Sequence, residues 1–295
     1  MQQSELVILL HQAVEGRLGR ILQLTAREGW LEDVEAVHDV RVASRRLRAA
    51  LDLAGPGLPT AYRRLRRRAK ALTAALGATR ELDVHVQRLE GLGPRLAGPA
   101  AQGLLEHLLE SFDRERRKAR ARMFRAVERL RIAEWSAFPG TLDRGEDPEP
   151  QNALRTLLGP RLEAVLADIQ ARLLVHDPAG LHRLRIDTKK LRYALETLGA
   201  ALPAAVEIWL GRLKALQGAL GDHHDWVVLE AELWNHHALL VDHLRPALAA
   251  GTLELLGLVV ECRQKAFEAL PAAAEGLDPL RALAELCPAD EGRVP

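Results

Sequence analysis

Cysteine is nearly absent from this chain: two residues, Cys262 and Cys287, in 295. Two thiols can build neither a disulfide framework nor a four-cysteine metal site, and their scarcity fits a reducing compartment. Aromatic residues are 4 % of the chain and β-branched runs are scarce. Leu and Ala dominate what is apolar, a composition that favours helices. No apolar stretch is long enough to span a bilayer. The short run Leu6 to Leu10 lacks the basic flank and cleavage site of a signal peptide, so a cytoplasmic protein without a membrane partner is expected. No charge of one sign prevails, the net charge being +1. The two halves differ: residues 1–151 hold 26 Lys/Arg against 21 Asp/Glu, and residues 152–295 hold 15 against 19. Any anion site must therefore come from local placement.

One stretch occurs twice. Val37 to Leu53, VHDVRVASRRLRAALDL, returns as Leu181 to Thr197, LHRLRIDTKKLRYALET. His38 matches His182, Arg41 matches Arg185, Arg45 matches Lys189, Arg46 matches Lys190 and Arg48 matches Arg192, each at an offset of 144 residues (182 − 38). On a helix, at about 100° per residue, His38, Arg41, Arg45 and Arg48 fall within about 80°. Val37, Val40, Leu47 and Leu51 take a separate arc that can face a core. The second copy sorts alike, with Tyr193 beside its stripe. Asp52 and Glu196 also match, each four residues after an arginine it can hold. A single cationic stripe reads as a solvated face. The same stripe twice in one register reads as function.

Taken in order, the chain repeats a plan of four helices. In the first half these run from Ser4 to about Arg27, over 34–54 (closed by Gly55-Pro56-Gly57), from Thr60 onward, and from Pro99 to about Ile132. Residues 136–151, rich in Pro, Gly and acids, read as a linker. The second half runs from Asn152 to about Leu174, through a stripe helix capped by Asp177-Pro178, then from Pro203, and from Pro246 to Leu270. A short tail helix is expected at 279–286. Lys214 matches Lys70, and Leu220-Gly221 matches Leu76-Gly77, at the same offset. The expected architecture is all-α: two tandem four-helix bundles related by a pseudo-twofold (1–135 and 152–275, with a tail over 276–295), their stripe helices meeting between them.

VHDVRVASRRLRAAL and LHRLRIDTKKLRYALETL resemble the two signature helices of the CHAD family, the conserved histidine α-helical domain. LKALQGALGDHHD resembles that family's second-half segment, and AKALTAALGATRELD its first-half version. Arg80-Glu81 stands where an Asp is more usual. The resemblance implies a basic central groove or pore with inorganic polyphosphate as ligand. It implies a binding set of His38, Arg41, Arg45, Arg46, Arg48 and Lys70 from one half. His182, Arg185, Lys189, Lys190, Arg192 and Lys214 come from the other, with Tyr193 as neighbour. No ExExK motif for triphosphate hydrolysis is present. A non-catalytic protein without cofactor is expected, with polyphosphate granules or polyphosphate-metabolising proteins as company.

The chemistry fits: a base-free polyanion needs many cations in a row, bidentate arginines and mobile lysines, and no stacking platform. Histidines starting near pH 6.5 should charge as phosphate binds, giving tighter binding below neutrality. The rival reading is a nucleic-acid or other polyanion-binding helical protein, which the basic helices support and the lack of aromatics opposes. A metal enzyme using His223, His224, Asp225, His236, His237 and His243 is disfavoured by spacing, so these histidines are expected at the surface or at caps. The runs Arg63 to Lys70 and Arg114 to Arg122 cover several faces, so some of their members must be solvated.

Overall fold

The computed structural model describes residues 3–53, 60–135 and 152–278 apart from residue 168, together with Ala282, Glu285 and Leu286. Among the described residues every regular element is helical. The first repeat gives α1 (Gln3–Thr25), α2 (Val34–Leu53), α3 (Thr60–Ala75), α4 (Gly77–Leu92) and α5 (Pro99–Leu130). The second gives α6 (Asn152–Leu166), α7 (Ile169–Leu174), α8 (Pro178–Leu198), α9 (Val206–Asp242), α10 (Pro246–Ala250), α11 (Thr252–Glu268) and α12 (Leu270–Ala273). The expected closure of α2 at 55–57 and the linker at 136–151 lie outside the described residues.

The offset of 144 carries the start of α2 onto the start of α8. It also carries the break between α3 and α4 onto the middle of the unbroken α9. The helix expected from Thr60 therefore divides at Leu76 (φ −85°, ψ −5°), whereas its repeat runs straight through Leu220-Gly221. Glycine weakens a helix at both places. Both routes cross from one core to the other: Leu65, Leu72 and Leu76 to Leu89 and Leu92 through the divided α3 and α4, and Leu213, Leu216 and Leu220 to Leu229, Leu233 and Leu240 along the unbroken α9. Two further expected helices are also divided, one into α6 ending at Leu166 and α7 starting at Ile169, the other at Gly251. At the latter only glycine fits, because a Cβ on Gly251 would overlap the backbone carbonyl of Ala100 at the start of α5.

Local signals place the stripe helices. Gly29, at φ +72°, supplies the left-handed turn after α1. Asp177 caps α8, its Oδ1 accepting the Ala179 N–H at 3.1 Å, with Pro178 in the first turn. Replacing Asp177 by Ala is expected to lower stability by about 1 kcal/mol in urea unfolding, the usual cost of a lost cap.

Apolar burial does not divide by halves. One core joins α1, α2, α3 and the end of α5 to α6, α7, α8 and the first part of α9. A second joins α4 and the start of α5 to the end of α9, α10 and α11. Polar links tie the second core across the repeat. Arg88 reaches Asp222 at 2.7 Å and stacks on Trp226 at 4.2 Å, and Arg95 reaches Glu261 at 2.6 Å. Most of the expected tail helix lies outside the described residues, but Ala282 and Leu286 are buried in the first core.

A basic groove between the repeated helices

α2 and α8 pack against each other along their repeated stretches. Each sends its leucines inward: Val40, Leu47 and Leu51 from α2, Leu184, Leu191 and Leu195 from α8, all fully buried. The stripes are left beside the seam, where they face one another. At the centre lies Lys189. Burial, then the fields of Arg45, Arg185, Arg48 and Arg41, push its ammonium down to about 8. Arg185 and Arg41 are likewise held below the ordinary arginine value. Burial is the main cause in both, opposed by Asp225 at Arg185, and reinforced at Arg41 by Arg45 with Glu81 opposing. Desolvation and like charge both disfavour the charged form of a base. The cluster is therefore a set of cations held together by the fold against their own repulsion.

Tyr193, 4 % exposed, braces this cluster. The Arg192 guanidinium lies 4.7 Å from its ring centre and that of Arg45 5.9 Å, one from each repeat unit. Arg192 is fixed further by Glu196 Oε1 at 2.5 Å and Gln217 Oε1 at 3.0 Å.

The groove opens at two ends. One end is a pocket of about 440 Å³ lined by Arg45, Arg48, Asp52, Arg66, Arg161, Lys189, Lys190 and Tyr193. Among the described residues lining it, Asp52 is the single acid, held by Arg48 at 3.9 Å and by Arg66. The other end, of about 390 Å³, is lined by Arg41, Arg80, Glu81, His85, Arg185, His224 and Asp225. The first is almost purely cationic. The second alternates charge, and Arg80-Glu81 faces Asp225 there.

Not every residue expected in the set is in the groove. Arg46 turns to the other side of α2, in a pocket with Arg17, Arg20 and Asp39, and pairs with Glu196 at 3.1 Å. That pocket is the repeat's copy of the first end: Arg17, Val42, Arg46 and Glu196 correspond to Arg161, Ile186, Lys190 and Asp52. It is nearly neutralised by its acids, whereas its counterpart is not. Lys70 and Lys214 are exposed on α3 and α9 and line neither end. His38 is half-buried at the start of the stripe, and its Nδ1 has no partner among the described residues.

His182 sits against His224, Nδ1 to Nδ1 at 3.2 Å with ring centres 4.2 Å apart. Burial, then Arg185 and Lys189, hold His182 below the usual imidazole value; burial and Arg185 push His224 to about 4. The expectation of surface or capping histidines fails for this pair of neighbours on α9. His223 is 1 % exposed, 3.2 Å from His176 and packed near Phe267, and His224 completes the groove. Their adjacency hid this, because residues 100° apart on a helix serve a core and a groove at once. Among the described residues, no three His, Cys, Asp or Glu side chains are grouped so as to hold a metal ion. No periodic signal marks Arg66 or Arg80 as groove residues, and Arg161 is tied to the repeat only by standing 144 residues after Arg17.

The CHAD domain profile matches residues 12–234, a span that includes both stripes and most of α9. No curated protein matches the sequence. Solved structures share the fold, two of them as follows. PptA from Streptomyces chartreusis is 20 % identical, with a TM-score of 0.64 over 92 % of this chain and 98 % of that one. The CHAD domain from the plant Ricinus communis is 23 % identical, with a TM-score of 0.63 over 94 % and 92 %. With the repeated histidine and arginine helices, the all-α fold and the profile match in agreement, the chain belongs to the CHAD domain family.

Proposed function

We propose that this chain binds inorganic polyphosphate, without catalysis, in the groove between α2 and α8. The observation that carries this reading is Lys189: a half-buried ammonium whose charged neighbours Arg41, Arg45, Arg48 and Arg185 come from both repeat units. A linear polyanion laid along the seam would neutralise all five at once. His38 to Arg48 rises about 15 Å along the helix axis, enough for several phosphate groups in a row. The cationic end pocket would take the run of charge onward. The same reading places the protein in the cytoplasm, with polyphosphate granules or polyphosphate-metabolising proteins as company.

The pH response follows from the groove and differs from one based on histidine alone. Bound phosphate favours charged Lys189, so affinity should be high below pH 8 and fall as pH rises through that value. Between pH 7 and pH 9 a loss of about tenfold is expected, read by calorimetry with a proton taken up on binding near pH 8. His182, depressed in the free groove, adds tightening only on the acid side of its lowered value. The test is titration with polyphosphates of several lengths against an RNA competitor at two salt concentrations. Length-dependent, salt-sensitive binding that RNA does not displace supports the reading. Displacement by RNA at equal charge would favour a nucleic-acid binder instead.

A further inference from the structure

α3 carries a second feature that the groove does not use. Its exposed side bears Arg63, Arg64, Arg66, Arg67 and Lys70, and the sequence contains no acid between Asp52 and Glu81. Like charges stand four residues apart at 63/67, 64/68 and 66/70, a spacing that destabilises a helix surface. Ordinary surfaces intersperse both signs. Among the described residues the only ion pair made by α3 is that of Arg66 with Asp52, and Arg63 donates to Thr60 Oγ1 at 3.0 Å. The repeat does not require the pattern: at the offset of 144, Arg63, Arg64, Arg66 and Arg67 fall on Glu207, Ile208, Leu210 and Gly211.

The position of Arg66 gives this face a direction. It lines the cationic end pocket beside Arg48 and Lys190, and it shares Asp52 with Arg48. From Arg66 the helix leads on through Lys70 and Arg63 to Arg67 and Arg64 at the surface. The corresponding pocket on the other side of α2 sets Asp39 and Glu196 against Arg17, Arg20 and Arg46, and at the matching register α9 carries Glu207, Ile208, Leu210 and Gly211 in place of the arginines.

We infer that the solvent face of α3 is an exit lane, on which a polyphosphate chain longer than the groove continues out of the Arg66 end. This rests on the groove reading above, and it makes binding one-sided although the stripe helices repeat in sequence. Long chains should then gain contacts that short chains lack, and the gain should reside in α3.

The test compares wild type with Arg63→Gln, Arg64→Gln and Arg67→Gln combined, and with the same three positions changed to Lys. Each protein is titrated with a polyphosphate short enough to fill only the groove and with one several times longer, and with RNA of matched charge. All three side chains are exposed and Gln is a good helix former, and the change relieves the like-charge pairs 63/67 and 64/68, so the Gln variant should melt no lower than wild type. The Gln variant is expected to bind the short chain as wild type does, to lose about tenfold on the long chain, and to show a shallower salt slope for it. The Lys variant should restore both. Equal loss on both lengths, or no loss on either, overturns the lane. Loss for RNA with polyphosphate unchanged also overturns it, and makes the face a nucleic-acid contact. Failure of wild type to bind the short chain would instead refute the groove itself.

Discussion

Changing Arg45 to Ala together with Lys189 to Met should weaken polyphosphate binding about a hundredfold or more. The two positions are repeat partners that meet at the centre of the groove. Each removes a charge-assisted contact worth about 1.5–3 kcal/mol, and the two together exceed the roughly 2.7 kcal/mol that a hundredfold represents. The same chemistry predicts an opposite effect on the empty protein. Lys189 is pushed down to about 8 from an ordinary value of 10.5. The unfolded chain therefore holds a proton there between pH 8 and pH 10.5 that the folded chain releases. Stability from this group rises with pH across that window, and its full penalty is present below pH 8. Removing the charge at pH 7 removes the penalty. Lys189→Met alone should raise apo stability by about 1–2 kcal/mol, after discounting for the water that reaches the groove. Urea unfolding and polyphosphate titration of the same preparation would check both signs. A destabilised Lys189→Met protein would mean that the cluster is not under electrostatic strain.

Glu196→Gln should do the reverse. Its carboxylate is 18 % exposed and holds Arg46 at 3.1 Å and Arg192 at 2.5 Å. Its field also opposes the burial of Arg17. Three arginines converge on one acid, and breaking a half-buried network by removing one partner leaves the others uncompensated. A loss of about 3 kcal/mol is expected in thermal or urea unfolding. Polyphosphate affinity should rise severalfold, because Arg192 loses its internal anion and the field along the seam becomes more positive. Parallel loss of stability and affinity would show that Glu196 acts mainly by orienting Arg192 over Tyr193.

The opposed signs explain what could be read in advance. The register of His38, Arg41, Arg45 and Arg48 against His182, Arg185, Lys189 and Arg192 identified the stripe helices, because periodicity and repetition are properties of the chain alone. The inward leucines and the Asp177 cap were legible for the same reason. Which stripe residues share the groove was not. Arg46 and Arg45 are adjacent in sequence, yet one meets Glu196 and the other Tyr193, and only the packing of α2 on α8 separates them. His224 was obscured by its buried neighbour His223. The close approach of Ala100 to Gly251 joins residues far apart in the chain, which no local pattern records.

The sharing of both cores across the repeat has a consequence for how the molecule is made. When synthesis has passed α5, the apolar sides of α4 and of the first part of α5 still lack α9, α10 and α11, which complete their core. A nascent chain halted there exposes Leu89, Leu92, Leu104 and Leu108, and it cannot finish folding on its own. A ribosome-bound first half should therefore engage a chaperone, or a second copy of itself, until α11 has emerged from the exit tunnel.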